Sequence, residues 1–278
     1  MTSFSVWEHP VSHLRELFDD NRRSWDARVP AHVDSAFYGV RAFLEGANTL
    51  TPLDRELVGE VEGQRLLHLM CHFGLDTLSW QRLGAQATGV DFSGAALAKA
   101  RELNAQLGLS ARFVECNVLE TRQQVEGTFD VVFTSWGVIG WLPDLTPWGE
   151  TIAACLAPGG RFVIAEFHPY VWMSQTGPDL AIRFPYFNRG PITEETEGTY
   201  ADRDAPLKAR EHGWNHSLAD VVNALLRAGL QLERLEEVDR VWHDTFPNLR
   251  RLEDGAFQFD EAPGLVPMAF GIVARRPA

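Results

Sequence analysis

The stretch from Arg65 to Asp91, RLLHLMCHFGLDTLSWQRLGAQATGVD, constrains the fold more than any other part of the chain. RLLHLM is a short apolar run of the kind a fully buried strand requires. CHFG turns the chain, with Gly74 as the residue free of Cβ strain. Asp76 falls in the first turn of a helix that carries Leu75, Leu78 and Leu83 and stops at Gly84. QATGVD is a second strand, and it ends on Asp91. A carboxylate at the carboxyl end of such a strand can accept hydrogen bonds from a ribose diol. Strand, turn, helix, strand and acid together describe the nucleoside half of a cofactor site.

The segments that follow keep the alternation. FSGAALAKARELNAQLGL reads as a helix capped by Ser93, with Leu97, Ala100, Leu103 and Leu107 on one stripe and Gly108 at its close. ARFVEC is a third strand, followed by Asn117. FDVVFTS, nearly all apolar, is a fourth and central one. Ser135 and Trp136 come off its carboxyl end, where open α/β sheets bind ligands, so Trp136 and Trp141 are candidate walls of a site. A helix with Ile152, Cys155 and Leu156 on one face leads through Pro-Gly-Gly into a fifth strand, RFVIAEF. Ser217 and Asp220 form a capping box before a helix whose Leu218, Val221, Val222, Leu225 and Leu226 make one stripe. LQLERLEEV and MAFGIVARR are the last two strands.

Two regions stand outside this frame. Residues 1–60 read as a helical, amphipathic cap, with Leu14, Leu17 and Phe18 on one face of its first helix. Residues 169–215 are rich in Pro, Gly and acid, and a stretch that long without clear periodicity is uncommon unless functional. Its acidic residues, Glu194 and Glu197 among them, read as a solvated surface. Residues 61–168 and 216–278 make the core of one domain spanning 1–278.

The core segments resemble class I S-adenosylmethionine-dependent methyltransferases, well over residues 60–167 and less sharply over 213–276. The turn departs from the usual acid followed by x-Gly-x-Gly-x-Gly. His68 stands for the acid, Met70 and His72 for the first two glycines, and only Gly74 matches. A similar Cys-His-Phe-Gly turn occurs in bacterial small-molecule methyltransferases. The resemblance implies a Rossmann-like three-layer α/β sandwich with a seven-stranded, mostly parallel sheet and an antiparallel last strand. It also implies S-adenosyl-L-methionine as cofactor, S-adenosyl-L-homocysteine as its product, and an acceptor lid at 169–215. The cofactor would lie against Met70, Cys71, His72, Gly74, Asp91, Phe92, Asn117, Val118, Ser135 and Trp136. Trp25, His32 and Tyr38 of the cap, with Trp141 and Tyr170, would shape the acceptor pocket; the alternative for the cap aromatics is plain packing. For Asn117 the alternative is a capping role in the next turn.

Methyl transfer asks a protein chiefly to align an acceptor and exclude water. A base helps where the acceptor must lose a proton, and among the nine histidines His168 and His216 are the candidates, each weighed against a role in tying the lid to the core. The formal net charge of −13 argues against a nucleic-acid substrate. The three cysteines show no disulfide spacing, no apolar run is long enough to span a membrane, and the N-terminus lacks a leader pattern. These features point to a cytoplasmic enzyme, monomeric or homodimeric, acting on a small molecule. No metal-ligand spacing exists. Two other readings are a nicotinamide-dependent oxidoreductase, against which the bulky Met70 and His72 would crowd a pyrophosphate, and a non-catalytic cofactor-binding protein.

Overall fold

The computed structural model describes residues 11–174 and 181–278. In chain order the elements are α1 (Val11–Asp34), α2 (Val40–Leu44), α3 (Pro52–Val58), β1 (Arg65–Leu69), α4 (Leu75–Arg82), β2 (Gln86–Asp91), α5 (Gly94–Gln106), β3 (Arg112–Glu115), α6 (Thr121–Gln124), β4 (Phe129–Ser135) and α7 (Thr146–Cys155). They continue as β5 (Leu156–Phe167), α8 (Pro169–Ser174), β6 (Ile192–Glu197), β7 (Lys208–Gly213), α9 (Leu218–Arg227), β8 (Gln231–Val238), β9 (Leu249–Arg251), β10 (Phe257–Phe259) and β11 (Ala269–Arg275).

Seven strands form one sheet in the order β3-β2-β1-β4-β5-β11-β8. β1 to β5 pair in parallel, and β11 runs antiparallel to both of its neighbours, β5 and β8. Side chains alternate across the sheet as the strand period requires. Along β4, Val132 faces a core shared with Trp148, Ile152, Val221 and Leu225. Val131 and Phe133 face the other way, onto Leu53, Leu57 and Trp80. Helices therefore cover both faces, giving the Rossmann-like three-layer sandwich. The strand order reverses direction between β1 and β4, and ligands of open α/β sheets bind in the crevice beyond such a switch.

The local causes are visible in the residues. Gly74 caps α4 in the left-handed region at φ 79°, and a Cβ there would lie 2.7 Å from the Phe113 ring. Ser93 Oγ accepts from the Ala96 N–H to cap α5, and Ser217 with Asp220 forms the capping box of α9. Gly271 leaves room for α3, since a Cβ there would meet Leu57 at 2.3 Å. One boundary differs from the sequence reading. β5 starts at Leu156, before Pro158-Gly159-Gly160, and its register with β4 shifts between Phe129 and Val131. Gly159, at φ 75°, accommodates the turn inside the strand.

The long insertion is more regular than its composition suggests. β6 and β7 pair antiparallel from Ile192↔Gly213 to Glu197↔Lys208 and lie on α1. Asn21 in α1 both donates to His212 O and accepts from its N–H, at 2.8 Å each. Among the described residues no helix is long and apolar enough to cross a membrane.

Candidate active site

A cavity of about 890 Å3 opens at the carboxyl ends of β1, β2 and β4, roofed by α1, the β6–β7 hairpin and the segment after β8. Its floor begins with the turn after β1. Met70 and His72 are both left-handed, at φ 58° and 51°, and with Gly74 they give three left-handed residues at alternate positions. A non-glycine residue there carries roughly 1–2 kcal/mol of strain. The payoff of the geometry is a backbone donor: the His72 N–H reaches Asp91 Oδ2 at 2.7 Å. The Ser93 N–H donates to Asp91 Oδ1 at 2.9 Å. Burial pushes the Asp91 carboxyl up to about 6, against the pull of these amides. Each of its oxygens keeps lone-pair capacity for a ligand hydroxyl.

The other end of the floor holds Asp76, with a second carboxylate, Asp54, behind it. Asp76, at the start of α4, accepts from Thr49 Oγ1 at 2.5 Å and from Ser135 Oγ at 3.4 Å, and burial raises its pKa. Asp54 is fully buried behind it. Its Oδ2 accepts from the Thr51 N–H at 2.8 Å, the Thr51 hydroxyl at 2.7 Å and the Trp136 indole N–H at 3.2 Å. Its Oδ1 has no partner. Burial, and then the charge of Asp76, push Asp54 up to about 7. The partners of this pair are hydroxyls, an amide and an indole, with no cation among them. His68, which stands where an acid is usual, bridges Thr77 Oγ1 at 2.9 Å and Ser135 Oγ at 3.3 Å. Burial lowers it to about 3, so it is a neutral connector.

The loop after β4 forms one wall, and Glu166 of β5 holds it. The fully buried Glu166 carboxylate accepts from the backbone N–H groups of Gly137, Val138 and Ile139, and from that of Phe167. This fixes Trp136 and Trp141, whose indole N–H donates to Gly137 O at 2.8 Å. The opposite wall is α1. Trp25 and Arg28 line the cavity, with the Trp25 ring 5.4 Å from Trp141 and 5.1 Å from His72. Arg28 is 6% exposed and pairs with Glu211 of β7 at 2.5 Å. Ser24 Oγ donates to the same Glu211 oxygen. Tyr38 and Tyr200 join hydroxyl to hydroxyl across the gap between the cap and the hairpin.

Most of the expected cofactor residues come together here. Met70, Cys71, His72, Gly74, Asp91, Phe92, Ser135 and Trp136 all line the cavity. Asn117 and Val118 do not: Asn117 Oδ1 accepts from the Leu119 N–H and caps the turn, and Val118 is packed in the core. Of the expected acceptor residues, Trp25, Tyr38 and Trp141 line it, while Tyr170 is off the wall. His32 sits behind the wall, fully buried, in ring contact with His72, Tyr38 and Tyr200. His168 and His216 lie off the cavity, and protein groups occupy their rings. His168 Nδ1 accepts from the Tyr170 N–H and its Nε2 meets Glu237 at 2.9 Å. His216 Nε2 donates to Leu142 O at 2.7 Å. Both tie segments together. Glu194, expected in solvent, lies on the cavity wall from β6, whereas Glu197 is exposed and pairs with Lys208 at 2.6 Å.

Several residues in or behind the cavity wall had no role in the sequence reading. Thr51-x-x-Asp54 is a capping box of the same kind as Ser217-x-x-Asp220, and that spacing could have flagged Asp54. Arg28 falls between Trp25 and His32 at i, i+3 and i+7 on one helix face, a spacing that could have flagged it. For His243 and Thr245 no local pattern exists, because a long excursion brings them back to β4.

Residues 67–162 match the family model described as a methyltransferase domain. Over 146 residues the chain is 30% identical to the ubiquinone biosynthesis O-methyltransferase of Xanthomonas euvesicatoria, covering 52% of this chain and 56% of that one. The chain thus spans about half the length of the curated relatives it matches. Among solved structures, an S-adenosylmethionine dependent methyltransferase from Mesorhizobium loti superposes with a TM-score of 0.53 at 22% identity, over 84% of this chain and 100% of that one. A second, from Clostridium acetobutylicum, superposes with a TM-score of 0.53 at 12% identity, over 97% and 100%. The chain has the class I methyltransferase fold.

Proposed function

We propose that this chain, built on the class I methyltransferase fold, is an S-adenosylmethionine-dependent methyltransferase that acts on a small-molecule acceptor. The observation that carries the reading is a single cavity with Asp91 at one end of its floor, Asp76 at the other with Asp54 behind it and no cation beside either, and an aromatic chamber above.

The residues present fit the cofactor. Asp91 would hold the ribose hydroxyls, as a buried carboxylate with acceptor capacity left over. Asp76, backed by Asp54, would receive the α-ammonium group, which supplies the counter-charge the pair lacks. When bound, the cofactor supplies a methyl carbon already activated by its positive sulfur. The protein's own tasks are then alignment and exclusion of water. Glu166 holds the Trp136–Ile139 loop rigid beside the reacting region. Aromatic faces such as Trp136 suit a neighbouring sulfonium, a cation. The Tyr38–Tyr200 contact and the Arg28–Glu211 pair close the hairpin over α1 and keep bulk water out.

The acceptor is a small molecule rather than a nucleic acid, in keeping with the net charge of −13 and with acid on the cavity wall. Three free cysteines, each with its thiol raised by burial, suit a reducing cytoplasm. Incubation with methyl-labelled S-adenosylmethionine and a small-molecule extract tests the proposal. Label is expected in the low-molecular-weight fraction. Label confined to protein or nucleic acid would overturn the acceptor class.

A further inference from the structure

The segment after β8 contributes a polar pair to the cavity that nothing above employs. His243 and Thr245 line the wall beside the loop that follows β4. The His243 ring lies 5.3 Å from that of Trp136, 6.0 Å from Phe37 and 6.4 Å from Phe167. Its Nδ1 is buried with no partner, and so is Thr245 Oγ1. Unmet buried polar atoms are costly and rare, so two of them, two residues apart on one cavity wall, mark a place where a ligand's polar atom completes the bonding.

Charge narrows what that ligand is. Arg28 is the single cationic side chain among the described lining residues, and Glu211 already neutralises it. Glu194 adds an acidic group to the same wall. A carboxylate or phosphate ester would meet no free cation and would lose its hydration. The walls around His243, Trp136, Phe37, Phe167 and Phe246 among them, offer flat apolar contact instead.

Resting on the methyltransferase reading, we propose that the acceptor is an uncharged aromatic compound whose hydroxyl donates to His243 Nδ1, with Thr245 Oγ1 as second partner, and that His243 takes the hydroxyl proton during transfer. The new oxygen–methyl bond replaces the methyl–sulfur bond, whose electron pair stays on sulfur. The hydroxyl proton goes to Nδ1 and from there to solvent. Burial lowers His243 to about 4, so the ring is neutral and ready to accept at neutral pH. So weak a base is adequate for a hydroxyl, which becomes strongly acidic only as its oxygen gains the methyl group. It is inadequate for an alkyl ammonium group of pKa about 10, which must lose its proton before it can attack. The geometry therefore favours O-methylation.

The test uses three probes of one ring size: 2-naphthol, 2-naphthoate and protonated 2-naphthylmethylamine. Each is titrated calorimetrically into the full-length protein saturated with S-adenosylhomocysteine. 2-Naphthol is expected to bind at least tenfold more tightly than the anion, and more tightly than the amine. His243→Ala and Thr245→Val should each weaken it about fivefold or more, leaving S-adenosylhomocysteine affinity within twofold. His243→Asn, which accepts a hydrogen bond but takes no proton, should keep naphthol binding within threefold and lower the maximal methylation rate at least a hundredfold. Equal or tighter binding of the anion or the amine, no binding of 2-naphthol, or an unchanged rate in His243→Asn overturns the proposal. Failure of the wild-type protein to bind S-adenosylhomocysteine at all would instead overturn the methyltransferase reading on which it rests.

Discussion

The backbone N–H of His72 donates to Asp91 Oδ2 at 2.7 Å, which makes the turn after β1 and the carboxylate at the end of β2 a single unit. His72 is left-handed, and Gly89 leaves space for the neighbouring Cys71 side chain: a Cβ at Gly89 would lie 2.7 Å from Cys71 Sγ. The Asp91 end of the cavity thus depends on backbone geometry at residues whose side chains do other work.

Asp91→Ala removes the acceptor of that unit. Hydrogen bonds to a charged group are worth about 1.5–3 kcal/mol, so cofactor affinity should fall roughly 10- to 150-fold. Titration calorimetry with S-adenosylhomocysteine checks this. Unchanged affinity in a folded variant would refute the assignment of Asp91 to the ribose.

His72→Gly separates the backbone from the side chain. The substitution relieves roughly 1–2 kcal/mol of left-handed strain and removes a buried imidazole whose Nε2 has no partner. It also deletes ring contacts with Trp25 and His32. These opposing effects should leave unfolding free energy within about 1 kcal/mol of wild type and cofactor affinity within about threefold. Denaturant unfolding and calorimetry on one preparation check both. A large loss of affinity would mean the imidazole itself holds the cofactor.

The Asp54/Asp76 pair predicts proton linkage. Asp54 has a folded pKa of about 7, so the apoprotein carries it partly protonated at neutral pH. An arriving ammonium group favours the charged carboxylate, so binding should release protons and strengthen as pH rises through 7. Binding enthalpies measured in buffers of unlike ionisation enthalpy report the release, and Asp54→Asn should abolish most of it. The sign for stability is opposite. A carboxyl raised on folding stabilises fully below its unfolded pKa of about 4 and loses that contribution as pH climbs through about 7. Asp54→Asn should therefore flatten the fall in apoprotein melting temperature across that window.

Glu211→Ala strands Arg28, which is 6% exposed and whose Nε already lacks a partner. Breaking a buried ion pair from one side costs about 3–5 kcal/mol. Urea unfolding should show a loss of that order, with Glu211→Gln milder because its amide oxygen still accepts from Arg28 and Ser24. A loss below about 1 kcal/mol would mean the hairpin is held by β-pairing alone.

Much of this was legible in the chain because α/β alternation writes itself locally. The apolar runs at Leu66–Leu69 and Val131–Phe133, the caps Ser93 and Ser217, and Asp91 at a strand end each need only a short window. Residues whose roles depend on distant partners were not legible. His168 and His216 leave core elements at plausible places, yet Glu237 and Leu142 O, remote in sequence, occupy their rings. Asn117 matches a family position but spends its side-chain oxygen on the Leu119 N–H. Arg28 and Glu211 are ordinary surface residues until a hairpin almost two hundred positions away closes on α1. Asp54 looks like a helix-start acid, and is one; its second role appears only with Asp76 and Trp136 beside it.

The central claim is the cofactor, and the most direct measurement is titration of the full chain with S-adenosylhomocysteine and, separately, with NAD, followed by melting temperature. S-Adenosylhomocysteine at ~100 times its dissociation constant should add about 2.7 kcal/mol of stability, while NAD should add none, since Met70 and His72 stand where a pyrophosphate-binding turn carries glycines. Stabilisation by NAD with no response to S-adenosylhomocysteine would contradict the account.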